Sequence, residues 1–458
     1  MIITNFKSLA KNYLREQALL IAEAGYEMID IEKVVKKRIS VENNILEIRH
    51  FEKEKPYKID LKEFKRIFVV GIGKGSALAS ASLAKILGKK LTGGIALDIQ
   101  KPELKKSKVQ SLKSKVFIGT HPLPSAQNIK ATKEIIKLAK SLTKDDLLIT
   151  FICGGGSALA CTGEQELKTS TFVTKELTKV GAIIEELNIV RKHLSEFKGG
   201  GLAKMACPAT VISLIVSDIC GNDLSSVASG PTVYDKTTLE DAEKILKKYN
   251  LQPITNNLQL LETPKNKRCF RNVKNILFVC NQDAVEGMLK KSEELGFTAR
   301  IYSLALEGEA KTIFSPIIKK IKPKEAIIAA GETTVTLNSR GAKSETQKLG
   351  KPFGAALGKG GRNQEAVLGA LTRLKTNDLR PMTDLIFISF ASDSHDNTEA
   401  AGAIGDYLVL EKAEKFKLNP EEFLKDHNSF NFFKKTGDLM YAKQKCFNVA
   451  DLMLILKK

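Results

Sequence analysis

The run Phe151-Ile152-Cys153-Gly154-Gly155-Gly156-Ser157-Ala158-Leu159-Ala160 offers the clearest chemistry in the chain. A strand-like apolar segment stops at three glycines and a serine, then becomes helix-compatible. Without Cβ atoms, Gly154, Gly155 and Gly156 let the backbone approach a bound group closely. Peptide N–H groups at such a helix start, with Ser157 beside them, suit an anion such as a phosphate. A tight strand-to-helix turn alone would also account for the glycines. Other loops add charge. Gly71-Ile72-Gly73-Lys74-Gly75-Ser76 presents an ammonium between glycines. Neither this loop nor Gly358-Lys359-Gly360-Gly361 has the spacing G-x-x-x-x-G-K-[ST], so a phosphate site here would be built differently.

Carboxylates recur in the same setting. Asp218 ends the run Val211–Ser217, where it suits a metal, proton abstraction or simply a turn. Glu332 follows Gly331, and Ser392-Asp393-Ser394-His395-Asp396-Asn397 supplies two more carboxylates. Glu332 and Asp396 could equally cap helices or tie loops. Arg362, in Gly360-Gly361-Arg362-Asn363-Gln364-Glu365, stands where a helix opens and can grip carboxylate or phosphate with two prongs. Arg191-Lys192-His193 could favour an anion or merely suit a helix C-terminus. His121, before Pro122, reads as a loop histidine.

The elements that must position these groups alternate. Strands are expected at residues 67–70, 116–119, 147–150, 211–216, 275–279, 326–330 and 385–390. Helices are expected over the first fifty residues, from Ser76 to Leu87, from Asn281 towards Gly296 and from Ala366 to Leu374. Val173, Leu177, Val180, Ile184, Leu187, Val190 and Leu194 step by threes and fours, which predicts one continuous helix face. Short buried strands between helices mean parallel sheets flanked by helices, with ligands at the strands' carboxyl ends. The polar run Thr263–Lys267 reads as a linker, giving domains 1–265 and 266–458.

The 458 residues allow roughly two to four domains. The net charge of +20 comes from lysine spread along the chain, which fits a solvated surface and anionic small molecules; no nucleic-acid motif accompanies it. No leader and no apolar run of the roughly 20 residues a bilayer needs is apparent. Seven scattered cysteines form no zinc pattern and read as reduced thiols. A cytoplasmic protein, with no membrane or specific nucleic-acid partner, is expected.

Taken in order, these loops resemble the glycerate 2-kinase family with the MOFRL C-terminal domain. The matching stretches are Gly71–Ser76, Thr120–Pro124, Gly154–Ala158, Asn188–Ser195, Lys198–Ala203, Ser217-Asp218, Ala228–Thr232, Gly331–Val335, Gly360–Glu365, Ala400–Ala403 and Asn448–Leu452. The resemblance covers nearly the whole chain. It implies an α/β fold of two domains with mainly parallel sheets flanked by helices and the active site in the cleft between the domains. It implies ATP-dependent phosphorylation of D-glycerate at O2, with Mg²⁺. Lys74, Asp218 and Arg362 become the expected catalytic residues. Gly73, Gly154, Gly155, Gly156 and Ser157 would bind the nucleotide phosphates. Arg191, Lys198 and Asn448 would bind substrate, and Glu332, Asp393 and Asp396 the metal. The oligomeric state stays open, a homodimer included.

Two stretches depart from the family. Between Thr436-Gly437-Asp438-Leu439 and Asn448, its small-residue loop is replaced by Ala442-Lys443-Gln444-Lys445-Cys446-Phe447. Its Gly-Thr-Asp-Gly-x-Asp-Gly becomes a segment with Ser394 and Asn397 in place of two glycines. Competing readings are a phosphosugar-binding protein of the sugar-isomerase type and a non-catalytic homologue with an RNA-recruiting basic surface. A dinucleotide-dependent dehydrogenase fits less well, because no G-x-G-x-x-G with a ribose-binding acid is correctly placed.

Overall fold

The computed structural model describes residues 1–50, 55–100, 114–251, 260–337, 358–376 and 384–458. They divide into two compact units, Ile31–Cys280 and Met1–Asp30 with Asn281–Lys458. The division therefore differs from a boundary after residue 265. Thr263 is buried, and Lys265 donates to the carbonyls of Asp235 and Thr237, so the supposed linker belongs to the Ile31–Cys280 unit.

That unit opens with β1 (Ile39–Glu42), β2 (Ile45–Ile48) and β3 (Tyr57–Asp60), a small antiparallel sheet in that order. Helix was expected through residue 50, but it stops at Arg38. Asn43 and Asn44 adopt φ of +50° and +69°, the left-handed pair that a two-residue hairpin turn demands and asparagine tolerates. The alternation in Ile39–Glu42, followed by the Asn43-Asn44 turn pair, was the missed signal.

Its main sheet contains β4 (Arg66–Ile72), β5 (Gly93–Asp98), β6 (Ser114–Ile118), β7 (Asp146–Ile152), β8 (Thr210–Val216) and β9 (Val273–Val279). The order is β6-β5-β4-β7-β8-β9, and every pairing is parallel. All seven residues of β7 are buried, which is why it reads as an unbroken apolar run. The chain winds outward from β4 and then returns to the other side at β7. Loops leaving the carboxyl ends of β4 and β7 part there, and doubly wound sheets bind ligands at that switch point. The helix expected across Val173–Leu194 is two helices, Glu164–Lys179 and Ile184–His193, broken at Gly181 (φ +75°). Val173, Leu177, Leu187, Val190 and Leu194 still share one core, so the periodicity persisted through a turn it could not reveal.

The other unit holds β10 (Thr298–Glu309), β11 (Glu325–Thr334), β12 (Leu385–Ala391), β13 (Gly402–Gly405), β14 (Leu439–Met440) and β15 (Asp451–Lys457). Their order is β10-β11-β15-β12-β13-β14. This sheet is mixed: β10 and β11 are parallel, and the remaining pairings are antiparallel. The unforeseen β15 lies between β11 and β12, so β10, β11 and β12 still point one way. Asp451 sits in register between Gly331 and Ala391, at the edge where β11 and β12 end.

The N-terminal segment is built into this unit. Helix Tyr13–Met28 lies against helix Asn281–Glu294, where a Cβ on Gly287 would fall 2.4 Å from the Met28 Cγ. Arg15 is fully buried and bonds Asp406 through Nε (2.7 Å) and Nη2 (2.6 Å), and Asp438 through Nη1 (2.8 Å). Removing the cation would leave buried Asp406 without its ion-pair partner, while Asp438 would keep only Lys412, at 2.9 Å. Arg15→Ala should therefore lower unfolding free energy by about 3–5 kcal/mol. Chemical denaturation measures it; a loss below about 1 kcal/mol would contradict the assigned role.

Candidate active site

In the parallel-sheet unit the strand ends carry interlocked glycine turns. Gly73 (φ +110°) and Gly75 (φ +80°) lead into helix Ser76–Leu87, while Gly155 (φ +77°) precedes helix Gly156–Leu159. The Lys74 amide donates to the Gly154 carbonyl at 2.9 Å, joining the two turns. A Cβ on Gly154 would lie 1.8 Å from the Asp218 Oδ2, so the carboxylate occupies space that only glycine leaves. A Cβ on Gly155 would touch both the His121 ring and the Lys74 Cγ at 3.4 Å. Lys74, His121, Gly154, Gly155 and Asp218 therefore meet at one place. His121 was not expected there; its signal was the Thr120-His121-Pro122 loop following a strand.

The turn after Asp218 closes the arrangement. Gly156 packs on Ala228, where an added Cβ would come within 2.6 Å of the Ala228 Cβ. Ser157 and Ser229 join hydroxyls at 2.8 Å. Ala228 and Ser229 hold φ of +50° and +57° without being glycine. Such strain costs about 1–3 kcal/mol per residue and clusters at functional sites. Asp98, ending β5, accepts from the Ala77 amide at 2.9 Å at the start of the Lys74 helix. Burial pushes its carboxyl up to about 6.

The expected substrate-binding cations of this unit differ from one another. Lys198 forms a buried ion pair with Glu166 at 2.6 Å. Burial pushes Glu166 up, but the Lys198 ammonium outweighs it and holds the acid below its ordinary value. Lys192, in the run that could favour an anion, pairs with buried Asp235 at 3.2 Å. Arg191 has only the Thr174 hydroxyl, at 3.3 Å, as a side-chain partner among the described residues. Burial pushes its pKa down to about 10. A half-buried guanidinium without a carboxylate is suited to an anionic ligand.

The mixed-sheet unit gathers a second set. Arg362 opens helix Arg362–Thr376 and holds Asp451 through Nε at 2.5 Å and Nη2 at 3.3 Å; Nη1 meets Glu332 Oε1. Asp451 is 1% exposed, and burial pushes it up to about 6 against the pull of Arg362. No spacing rule could have paired it with a residue 89 positions away. Asp396 accepts from the Asn363 amide at 3.1 Å and the Gln364 amide at 2.9 Å, anchoring the helix start. Asp393 accepts from the His395 amide at 3.2 Å within the turn after β12. Asn448 accepts from the Ser392 hydroxyl at 3.4 Å beside the same turn. Among the described residues no three His, Cys, Asp or Glu side chains are grouped as a metal site.

Comparison with known proteins locates this arrangement. Residues 17–261 match a family model described as a domain of unknown function, DUF4147, and residues 325–451 match the MOFRL family. A glycerate 2-kinase of Pyrococcus horikoshii is 34% identical over 423 residues, covering 86% of this chain and 89% of that one. The chain belongs to the glycerate 2-kinase family. A Thermotoga maritima glycerate kinase crystal structure superposes with a TM-score of 0.76 at 28% identity, covering 97% of this chain and 99% of that one. An Agrobacterium vitis relative, 33% identical over 85% of this chain and 87% of its own, carries a provisional hydroxypyruvate reductase name.

Both departures from the family pattern have a structural form here. Ser394 and Asn397, standing for glycines, keep left-handed φ of +72° and +52°, so the turn keeps a glycine-like backbone. The replaced loop is tied to the N-terminal segment: Lys443 N–H donates to the Ile2 carbonyl, and Phe447 N–H to the Ile29 carbonyl, both at 3.0 Å. Lys445 pairs with Asp30, and Gln444 reaches His395.

Two outcomes follow from this geometry. Gly154→Ala must displace Asp218 or the turn, and ATP-dependent turnover of glycerate should fall by about a hundredfold or more; wild-type turnover would contradict the contact. Asp98 binds its proton more tightly folded (about 6) than unfolded (3.8), so the stability it contributes falls as pH rises through that interval. Relative to wild type, Asp98→Asn should gain up to about 3 kcal/mol between pH 4 and pH 7. Denaturation at several pH values reads this, and a constant difference would refute it.

Proposed function

We propose that the protein transfers the γ-phosphoryl group of ATP to the O2 hydroxyl of D-glycerate, yielding 2-phosphoglycerate and ADP. The observation that carries this reading is the meeting of Lys74 and Asp218 on the triple-glycine turn. Backbone N–H groups at that turn suit the nucleotide phosphates, with Ser157 at the helix start. The Lys74 ammonium is suited to the charge on the transferring group. The Asp218 carboxylate is suited to take the O2 proton as the O2–phosphorus bond forms and the bond from phosphorus to the β,γ-bridging oxygen breaks. Arg191, lacking a carboxylate partner among the described residues, is the better receiver for the substrate carboxylate. Lys198 already has Glu166.

Mg²⁺ would come with ATP, whose phosphates leave it needing only one or two protein carboxylates. When bound, it supplies neutralisation of charge on the phosphate oxygens. Asp218, whose carboxylate lies against the Gly154 position at the triple-glycine turn, would be the protein's ligand if the ion and not the O2 proton falls to it. Asp396 fits poorly, since both its oxygens accept from the helix start. None of the seven cysteines is in a disulfide, which supports a reducing compartment, and we propose that the protein works in the cytoplasm.

The test is ADP release with ATP and D-glycerate. Lys74→Ala should cut kcat by about a thousandfold with an unchanged thermal midpoint. Near wild-type kcat would remove Lys74 from the chemistry. Reduction of hydroxypyruvate by a nicotinamide cofactor, with no ATP consumed, would overturn the kinase reading.

A further inference from the structure

Arg362 is held by two carboxylates of unlike character. Asp451 grips Nε and the Nη2 side from inside the sheet, with a side chain only 1% exposed. Glu332 reaches Nη1 from the end of β11, with a side chain 54% exposed. The guanidinium itself is 32% exposed. The buried carboxylate is fixed by its packing: it begins β15, in register between Gly331 and Ala391. The exposed one has water as an alternative partner and can leave at little cost. An arginine fork held on one side by a buried acid and shielded on the other by an exposed acid is prepared for exchange of anions.

We propose that Glu332 is the exchangeable counter-ion of Arg362: an anionic oxygen group of the bound ligand takes the place of its carboxylate, while Asp451 keeps the guanidinium aimed. The ligand class is a phosphoryl or carboxylate group, both of which match the planar fork. Asp451 is thus a positioning residue, and Glu332 competes with the ligand instead of holding metal. The identity of that ligand as ATP, glycerate or product rests on the kinase reading above; the exchange itself does not.

The experiment is calorimetric titration of the full chain with Mg·ATP and with 2-phosphoglycerate, alongside steady-state kinetics. Removing a competing charge should tighten binding: Glu332→Gln should lower the Kd of the ligand that meets Arg362 by about two- to fivefold. A fall for Mg·ATP alone assigns the exchange to the nucleotide phosphates; a fall for 2-phosphoglycerate alone assigns it to the acceptor. Glu332→Ala gives a second reading at the same exposed position. Asp451→Asn should act in the opposite direction, lowering kcat at least about tenfold and weakening the same ligand. Unchanged or weaker binding of both ligands by both Glu332 variants would overturn the proposal. Loss of the kinase reading would show separately, as wild-type protein that binds these anions without ADP release.

Discussion

The absence of a side chain at Gly154 is the constraint on which the parallel-sheet site depends. Asp218 fills the space where a Cβ would be, and the Lys74 amide closes on the Gly154 carbonyl. The ends of β4, β7 and β8 are thereby brought within contact of one another, and the Lys74 stem and the His121 imidazole meet the same turn at Gly155. A phosphoryl-transfer site needs mostly position and charge, and little covalent chemistry from the protein. Backbone approach and fixed charge are what this turn provides. The left-handed Ala228 and Ser229 show that the fold tolerates strain to keep the next loop against Gly156.

Charge compensation divides the cationic residues by what they can do. Lys192 and Lys198 lie in buried ion pairs and stabilise the loops around the glycines. Arg15 does the same for the N-terminal helix and the mixed sheet, against Asp406 and Asp438. Arg191 is half-buried with no acid beside it among the described residues, and Arg362 is compensated on one face by an acid that water can reach. Buried pairs are costly to break, and exposed ones are cheap. A cation intended for a ligand should look like Arg191 or Arg362, and a structural one like Lys198.

Much of this was legible in the sequence, for reasons that differ by element. Buried strands β4, β7, β8 and β12 declared themselves because parallel or central strands are apolar on both faces. The glycine turns were legible because only glycine permits their backbone. The hairpin at Asn43-Asn44 was overlooked beneath helix-compatible neighbours. The break at Gly181 was hidden because the apolar spacing carried on through it. β15 follows a long loop and pairs with strands far away in sequence, so nothing local announced that the second sheet is mixed. Partnerships such as Arg362 with Asp451 and Lys198 with Glu166 are properties of the fold. Sequence could nominate the arginine and the lysine but not show which was already engaged.

The most direct test of the central claim is phosphorus NMR of the purified protein with Mg·ATP and D-glycerate. The γ-phosphate signal should be replaced by equal amounts of ADP and 2-phosphoglycerate, with no 3-phosphoglycerate forming first. Persistence of ATP, or a phosphate ester at O3 as the initial product, would contradict it.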